Sequence, residues 1–413
     1  MLNKIIYRNI IMSAIQLHQT LPEASSDQYQ PYQSVDFLIH APGRKLVKNS
    51  IRISGDIKAK KNAADWGTPT AAAPNVYVPV GAVDYESNIK LDNCVGAHGF
   101  FESFTTETEQ KGVIENLQNY GRFVSQVARS TIAADDFNSA KLIAEARGPL
   151  EINGNYVLQP VADQAFMNPV GAVPGAEQPG QRSAPTFSIK PMTAFNRMAG
   201  GDWSFDKMGY IRVSCILAAN NQALFGGPGV VAGDIATYTL ENLNCNYVTE
   251  SDDGKVEPMM MRSYVSVVSS VQSLSTTITA RVPSSAVNSV SISFAEQAHL
   301  NDPRYNSYAL ESLPSFDNIS YLFSNSMQNY VTYVVRDDGD AIKKGLESME
   351  SSGHDQVSAM TLKANRGTIM GLPFESFIDL SQQRFTVQMK LLSDTITSSP
   401  LNAYLFFNTL LQF

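Results

Sequence analysis

The chain has 413 residues, more than the roughly 250 to 300 at which one hydrophobic core usually stops growing, so two domains are expected, each long enough to bury its own core. Charged residues make up 17% and the formal net charge is -8, which argues against a surface that neutralises phosphates and so against direct or sequence-specific nucleic-acid binding. Three widely spaced cysteines, Cys94, Cys215 and Cys245, support no disulfide framework and are read as buried free thiols.

The first twenty residues, MLNKIIYRNIIMSAIQLHQT, hold no apolar run near the ~20 residues of a membrane span, and polar Asn9, Ser13 and Gln16 interrupt them. Residues 1–32 are therefore read as a mobile or partner-docked arm, with one-sided contact to a membrane as the second possibility. Past the turn at Pro42 and Gly43, Ile51, Ile53, Ile57 and Ala59 alternate with Arg52, Ser54, Asp56 and Lys58, the two-residue period of a strand with one buried face. Residues 61–84, rich in Ala, Pro and Gly, read as a long loop with a short strand at Val76 to Val80. A Phe- and Thr-rich strand pair follows, then a helical stretch over Ile114, Leu117, Phe123, Val124 and Val127, with Gly121 as a point of division. Residues 151–186 show little periodicity, and an excursion of that length is usually a functional loop.

At mid-chain Ile211, Val213, Cys215 and Leu217 alternate with Arg212 and Ser214. The glycine-rich Gly226 to Gly233 then reads as a turn or linker. Beyond it Tyr238 and Leu240 share one phase and Leu243, Cys245 and Tyr247 the opposite one, as a β-bulge or strand bend would produce. The second half carries strands within Met261 to Val282, Val287 to Phe294, Ile319 to Val335 and Arg384 to Leu392, a closing strand AYLFFNTLLQF, and a helix at Asp340 to Met349. Both halves thus run strands, helix, strands without visible sequence identity. The pattern predicts an all-β chain of tandem sandwiches or jelly rolls, divided as an arm (1–32), a first jelly roll (33–230) and a second (231–413).

No G-x-S-x-G or phosphate-cradling P-loop string occurs in the sequence. Cys94 and His98 lack a second ligand pair, so a buried polar pair or a turn is the simpler reading than zinc. The Asp-Asp-Gly runs at 252–254 and 337–339 lack the other oxygens of a calcium loop and read as turns. His18, His40, His98, His299 and His354 are scattered, Asn318-Ile-Ser320 lies in an apolar strand pattern, and Trp66, Trp203, Phe100 and Phe101 have no basic residues between them to suggest base stacking. No catalytic, cofactor-binding or metal-binding residue is assigned, and no cofactor is expected.

Five phrases, in order, carry a resemblance: LVKNSIRISGDIKA; DNCVGAHGFFESFTTET with ENLQNYGRFV; SFDKMGYIRVSCILAANNQALFG; TYTLENLNCNYVTE; and LPSFDNISYLFSNSMQNYVTYVV. Spanning roughly residues 33 to 336, they resemble the double jelly-roll major capsid proteins of double-stranded DNA viruses, above all those of polinton-like viruses, adintoviruses and virophages. The resemblance implies two eight-stranded antiparallel jelly rolls per chain and three chains in a pseudo-hexameric homotrimer that tiles an icosahedral virion shell. It also implies neighbouring capsomers, penton and minor capsid proteins as partners, with the N-terminal arm at the base or against an inner membrane. The loops 61–84 and 151–186 are expected to form the outward tower. Two other classes fit tandem sandwiches: a carbohydrate-binding or adhesin-like protein, and a cupin-type enzyme, which would need a cluster of histidines inside a barrel.

Overall fold

In the computed structural model, residues 15–61, 69–70, 73–77, 91–92, 94–132, 144–147, 186–225, 236–254, 258–324, 329–354, 367–393 and 395–413 are described. Alternating apolar residues build eight principal strands in the first half: β1 (Ile15–Thr20), β2 (Ser34–Ile39), β3 (Arg52–Lys61), β4 (Phe101–Thr108), β5 (Gly112–Leu117), β6 (Thr186–Ile189), β7 (Ile211–Leu217) and β8 (Ala236–Ser251). Eight more follow: β9 (Met260–Val271), β10 (Ser275–Ala280), β11 (Val287–Glu296), β12 (Phe316–Ser324), β13 (Asn329–Val335), β14 (Ile369–Ile378), β15 (Arg384–Leu391) and β16 (Leu401–Gln412). Helix α1 (Tyr120–Thr131) stands between β5 and β6, and α2 (Asp338–Ser351) between β13 and β14.

The pairing is the same in both halves. In the first, β1-β8-β3-β6 form one sheet and β2-β7-β4-β5 the other; in the second, β9-β16-β11-β14 face β10-β15-β12-β13, and every pair is antiparallel. First strand beside last, second beside seventh, with the helix after the fifth, is the jelly-roll arrangement made twice by one chain. Short segments at Gln28–Tyr29, Arg44–Leu46 and Trp203–Ser204 extend the first sheet, and Met198–Gly200 is added to the edge of β9.

This pairing moves the expected boundaries. Ile15–Thr20, assigned to the arm, pairs with β8 as the first strand of the first barrel, and Ala236–Ser251, assigned to the second jelly roll, closes that same barrel. The glycines at 226–233 that read as a linker fall in the chain between β7 and β8, outside the described residues, and the passage between barrels is the short stretch between Ser251 and Met260. A single strand's phase shows which face is buried but not which strand lies beside it. A second correction concerns 112–131. Ile114 and Leu117 belong to β5, the helix starts only at Tyr120, and Asn119 in the left-handed region (φ 55°) makes the break; Gly121 lies inside the helix. The short strand expected at Val76 to Val80 is found at Ala73–Tyr77, paired with Pro69–Thr70. The rest of 62–90, and all of 151–185, lie outside the described residues.

The bulge foreseen in β8 is present. The register against β3 shifts between Glu241 and Asn244, Asn242 takes φ 51°, and Tyr238, Leu240, Leu243, Cys245 and Tyr247 are all buried. One extra residue on this strand lets both phases face the same core.

Two apolar cores result. The second is enclosed by its own barrel and centres on Val290, Ile292, Phe323, Phe385, Leu405 and Phe407. The first extends from its barrel into the junction, where Tyr264, Tyr308 and Phe406 of the second half join it. Strand β11 shows why: Val290, Ile292 and Phe294 point into the second core, while Ser289 and Ser291 on the other face are buried too. A sheet covered on both faces needs polar partners on its second one, and α1 and α2 supply them. Ser289 Oγ donates to the Ser348 carbonyl at 2.9 Å and Ser291 Oγ to Gln126 Oε1 at 3.0 Å.

Candidate functional site at the junction of the two barrels

Helix α1 carries the junction. Its apolar side sends Phe123 against Tyr264 of β9, stacked at 4.0 Å, and Phe406 of β16 at 5.3 Å. Its polar residues turn toward a loop of the second half. Arg122 donates to the carbonyls of Ser307 and Ala309, and its guanidinium lies 4.8 Å from the Tyr404 ring centroid. Ser125 Oγ donates to the Tyr308 carbonyl at 2.7 Å.

Tyr308 itself is the peg. Its hydroxyl donates to the Gly99 carbonyl at 2.7 Å, and its ring passes between Gly99 and Gly121. A Cβ on Gly121 would lie 2.5 Å from the ring and one on Gly99 2.9 Å from it, so only glycines admit the tyrosine at this depth.

Asp92 ties the loop and helix together. Its Oδ2 accepts from Arg129 Nη2 and from Asn306 Nδ2, both at 2.6 Å, while Oδ1 accepts from the backbone N–H of Cys94 at 2.8 Å and Val95 at 2.9 Å. Burial alone would raise its pKa; the Arg129 charge and the four donors outweigh that and hold it below the ordinary value. Glu115 on β5 forms the second tie. Oε1 accepts from Thr106 Oγ1 (2.6 Å) and the Ala194 N–H (2.7 Å), and Oε2 accepts from Ser263 Oγ of β9 (2.9 Å). Here burial wins, and its pKa is raised.

The residues singled out in the sequence fall elsewhere or into structural roles. Cys94, Cys215 and Cys245 are buried free thiols, and burial pushes Cys245 up to about 12. His98 Nδ1 meets the Tyr120 hydroxyl at 2.8 Å, which makes it a buried polar pair, with Tyr120 rather than Cys94 as the partner. Asp252 accepts from Ser204 Oγ and the Gly254 N–H, which makes a turn, and Asp337 caps α2 by accepting from the Asp340 N–H at 2.9 Å. Asn318 and Ser320 lie within β12, Trp203, Phe100 and Phe101 are buried in the first core, and Trp66 is outside the described residues.

The five histidines do not form one cluster, although His98 and His354 line the same cavity at the junction. His18 stacks on Tyr247, His40 meets Phe205 edge-on, His98 lies on Tyr120, His299 sits between Glu296 and Glu311, and His354 faces Phe123. None shares the barrel interior that a cupin-type centre requires. The sequence analysis singled out none of Asp92, Arg122 and Arg129, because their partners, in the loop at 306–309 and in one another, come together only in the fold.

The architecture defined by this pairing is a double jelly roll, two barrels of equal strand order locked through α1. No family model matches the sequence, and no curated protein does. Among solved structures the chain is similar to the Faustovirus major capsid protein, with TM-score 0.57 and 8% identity over 97% of this chain and 90% of that one. It is also similar to VP54 of PBCV-1, as fitted into a reconstruction of the virophage Sputnik, with TM-score 0.56 and 10% identity over 97% of this chain and 94% of that one. The mavirus major capsid protein gives TM-score 0.52 and 8% identity over 97% of this chain and 87% of that one. The shared property is the fold across both barrels, which is the expected tandem jelly roll.

Proposed function

We propose that this chain is a viral major capsid protein, a structural subunit and not an enzyme, that assembles as a homotrimer. The observation that carries the proposal is end-to-end likeness to major capsid proteins in both barrels together, covering 97% of this chain and 90% of the Faustovirus protein. Two similar barrels in each of three copies give six similar corners, and such a plate meets nearly equivalent neighbours in six directions. The outward faces fit close neighbours: a row across the second barrel reads Thr277, Gln388 and Ser320, and Asn244 and Asn246 lie on the outer side of β8. Uncharged polar side chains lose less on being covered than charged ones.

In this proposal neighbouring capsomers, penton and minor capsid proteins are the partners, and the shell of the virion is the location. Residues before β1, with β1 itself, provide the contact at the base, toward those partners or an inner membrane. The loops at 61–84 and 151–186 provide the tower. Edge strand β1 presents Ile15 and Leu17, 64% and 74% exposed, as a surface to be covered.

Light scattering on the purified chain tests this directly. The expected mass is that of three copies with a six-cornered outline in electron micrographs; a stable monomer under assembly conditions refutes it. Leu17→Lys separates contact from folding. It should leave unfolding midpoints within about 0.5 kcal/mol of the parent while abolishing association beyond the trimer. Unaltered assembly of that variant removes β1 from the contact surface.

A further inference from the structure

Strand β11 ends at Glu296, and the chain turns at once into a short 3-10 helix, Gln297–His299. Residues three apart lie nearly over one another in that geometry, and His299 Nε2 comes to 3.4 Å from Glu296 Oε2. Glu311 arrives from the far end of the same loop. Its N–H donates to the Phe294 carbonyl at 2.9 Å, an isolated β-bridge that brings its Oε1 to 3.2 Å from His299 Nδ1. One donor atom from each of the three side chains lies within 4.8 Å of the other two.

The trio is unbalanced toward negative charge. One imidazole offsets at most one of the two carboxylates, and among the described residues neither Glu296 nor Glu311 has a Lys or Arg within ion-pair distance. The guanidinium of Arg304, on the same loop, is taken by both oxygens of Asp302. The hydrogen count points the same way. A neutral imidazole has one N–H, yet both its nitrogens face a carboxylate oxygen, so one contact sets lone pair against lone pair unless a proton or a metal ion stands between them. A proton still leaves one negative charge, whereas a divalent cation neutralises the group. Water relieves this only in part, because the three side chains are 22 to 33% exposed. The donors are also held in place: the Gln297 N–H donates to the Pro400 carbonyl at 2.9 Å, its side-chain amide donates to Asn402 Oδ1 at 2.8 Å, and the His299 ring stacks on Tyr305 with centroids 3.8 Å apart.

We propose that Glu296, His299 and Glu311 bind a divalent transition-metal cation of the zinc class, with water completing its coordination. One imidazole nitrogen with two carboxylate oxygens suits zinc, whereas calcium and magnesium favour sites built from oxygen alone. Rotation of the partly exposed glutamate side chains brings their oxygens to the ~2.0 to 2.2 Å of a zinc bond. The ion would close the loop 297–311 onto the end of β11. That loop carries Tyr308, so binding would also steady the peg in its slot between Gly99 and Gly121. The proposal does not depend on the chain being a capsid subunit.

The full-length protein, stripped with a chelator and dialysed, is titrated with Zn²⁺ in a calorimeter, alone and against Ca²⁺ or Mg²⁺ as competitor. The expected result is one zinc ion per chain, a thermal midpoint that rises with zinc and falls back on adding chelator, and no displacement by an equal concentration of Ca²⁺ or Mg²⁺. Affinity should fall at least tenfold in His299→Gln and in Glu311→Gln, each shown folded by circular dichroism. Both side chains lie outside the two apolar cores, and Glu296→Gln replaces either variant that fails to fold. Absence of saturable zinc binding overturns the proposal. So does unchanged affinity in the folded variants, which would place the ion elsewhere, and displacement by Ca²⁺ or Mg²⁺ at equal concentration overturns the assignment to the zinc class.

Discussion

Gly121 and Tyr308 make a quantitative test of how the barrels are locked. In Gly121→Ala the new Cβ would stand 2.5 Å from Tyr308 Cε1 and 2.6 Å from Cζ. The ring cannot swing aside, because its other edge abuts Gly99 and its hydroxyl is bound to the Gly99 carbonyl at 2.7 Å. Overpacking of this kind costs about 2 to 3 kcal/mol, against which alanine recovers about 1 kcal/mol of helix propensity, so the net loss is about 1 to 2 kcal/mol. Tyr308→Ala empties the slot and costs about 3 to 5 kcal/mol by itself. In that background Gly121→Ala has nothing to strike, and it becomes neutral or stabilising by up to about 1 kcal/mol. The sign therefore reverses, with a coupling of about 2 kcal/mol. Urea unfolding of the four proteins, read at midpoints with matched slopes, measures it. An equal cost of Gly121→Ala in both backgrounds would refute the peg-and-slot account.

Two further predictions concern the buried carboxylates. Asp92→Ala leaves the Arg129 guanidinium buried without its counter-charge and should cost about 3 to 5 kcal/mol by urea unfolding; a loss under 1 kcal/mol contradicts the role given to the pair. Since its folded pKa lies below 3.8, the stability from Asp92 is present above that value and disappears as the pH falls through the folded one, so Asp92→Ala should approach the parent in acid. Glu115 has the opposite sign. Its folded pKa lies above 4.5, so its charge is a burden that appears as the pH rises through that raised value. In Glu115→Gln the amide can donate to Ser263 while the remaining oxygen keeps the Thr106 and Ala194 donors. Its stability relative to the parent should therefore improve from pH 4 to 7, and a constant difference across that range would rule out the buried charge.

The strands were legible because a sandwich buries one face of each, and period-two alternation shows that face. Even the bulge in β8 left a mark, since Tyr238 and Leu240 fall out of phase with Leu243, Cys245 and Tyr247. Pairing was not legible. Nothing in IQLHQT states that it will lie against Asn246 and Val248, more than two hundred residues away, so β1 read as an arm and β8 as part of the wrong barrel. Ile114, Leu117, Phe123 and Val127 imitate one helix across a break that depends on a left-handed Asn119. At the junction, Arg122 and Arg129 look like solvated helix charges because their partners, the carbonyls of Ser307 and Ala309 and the carboxylate of Asp92, arrive from elsewhere in the chain.

The segment from Met198 to Ser204 pairs first with Met260 and Met261 of β9, then, at Trp203 and Ser204, with Leu46 and Lys45 beside β8. Within seven residues the backbone is stitched into the edges of both barrels, so neither can pivot against the other without tearing hydrogen bonds from a sheet. Hinge motion inside one copy is thereby suppressed. If copies join as proposed, any curvature of the assembly would have to be absorbed where separate copies meet, with each molecule a stiff brick and every joint the place where shape is decided.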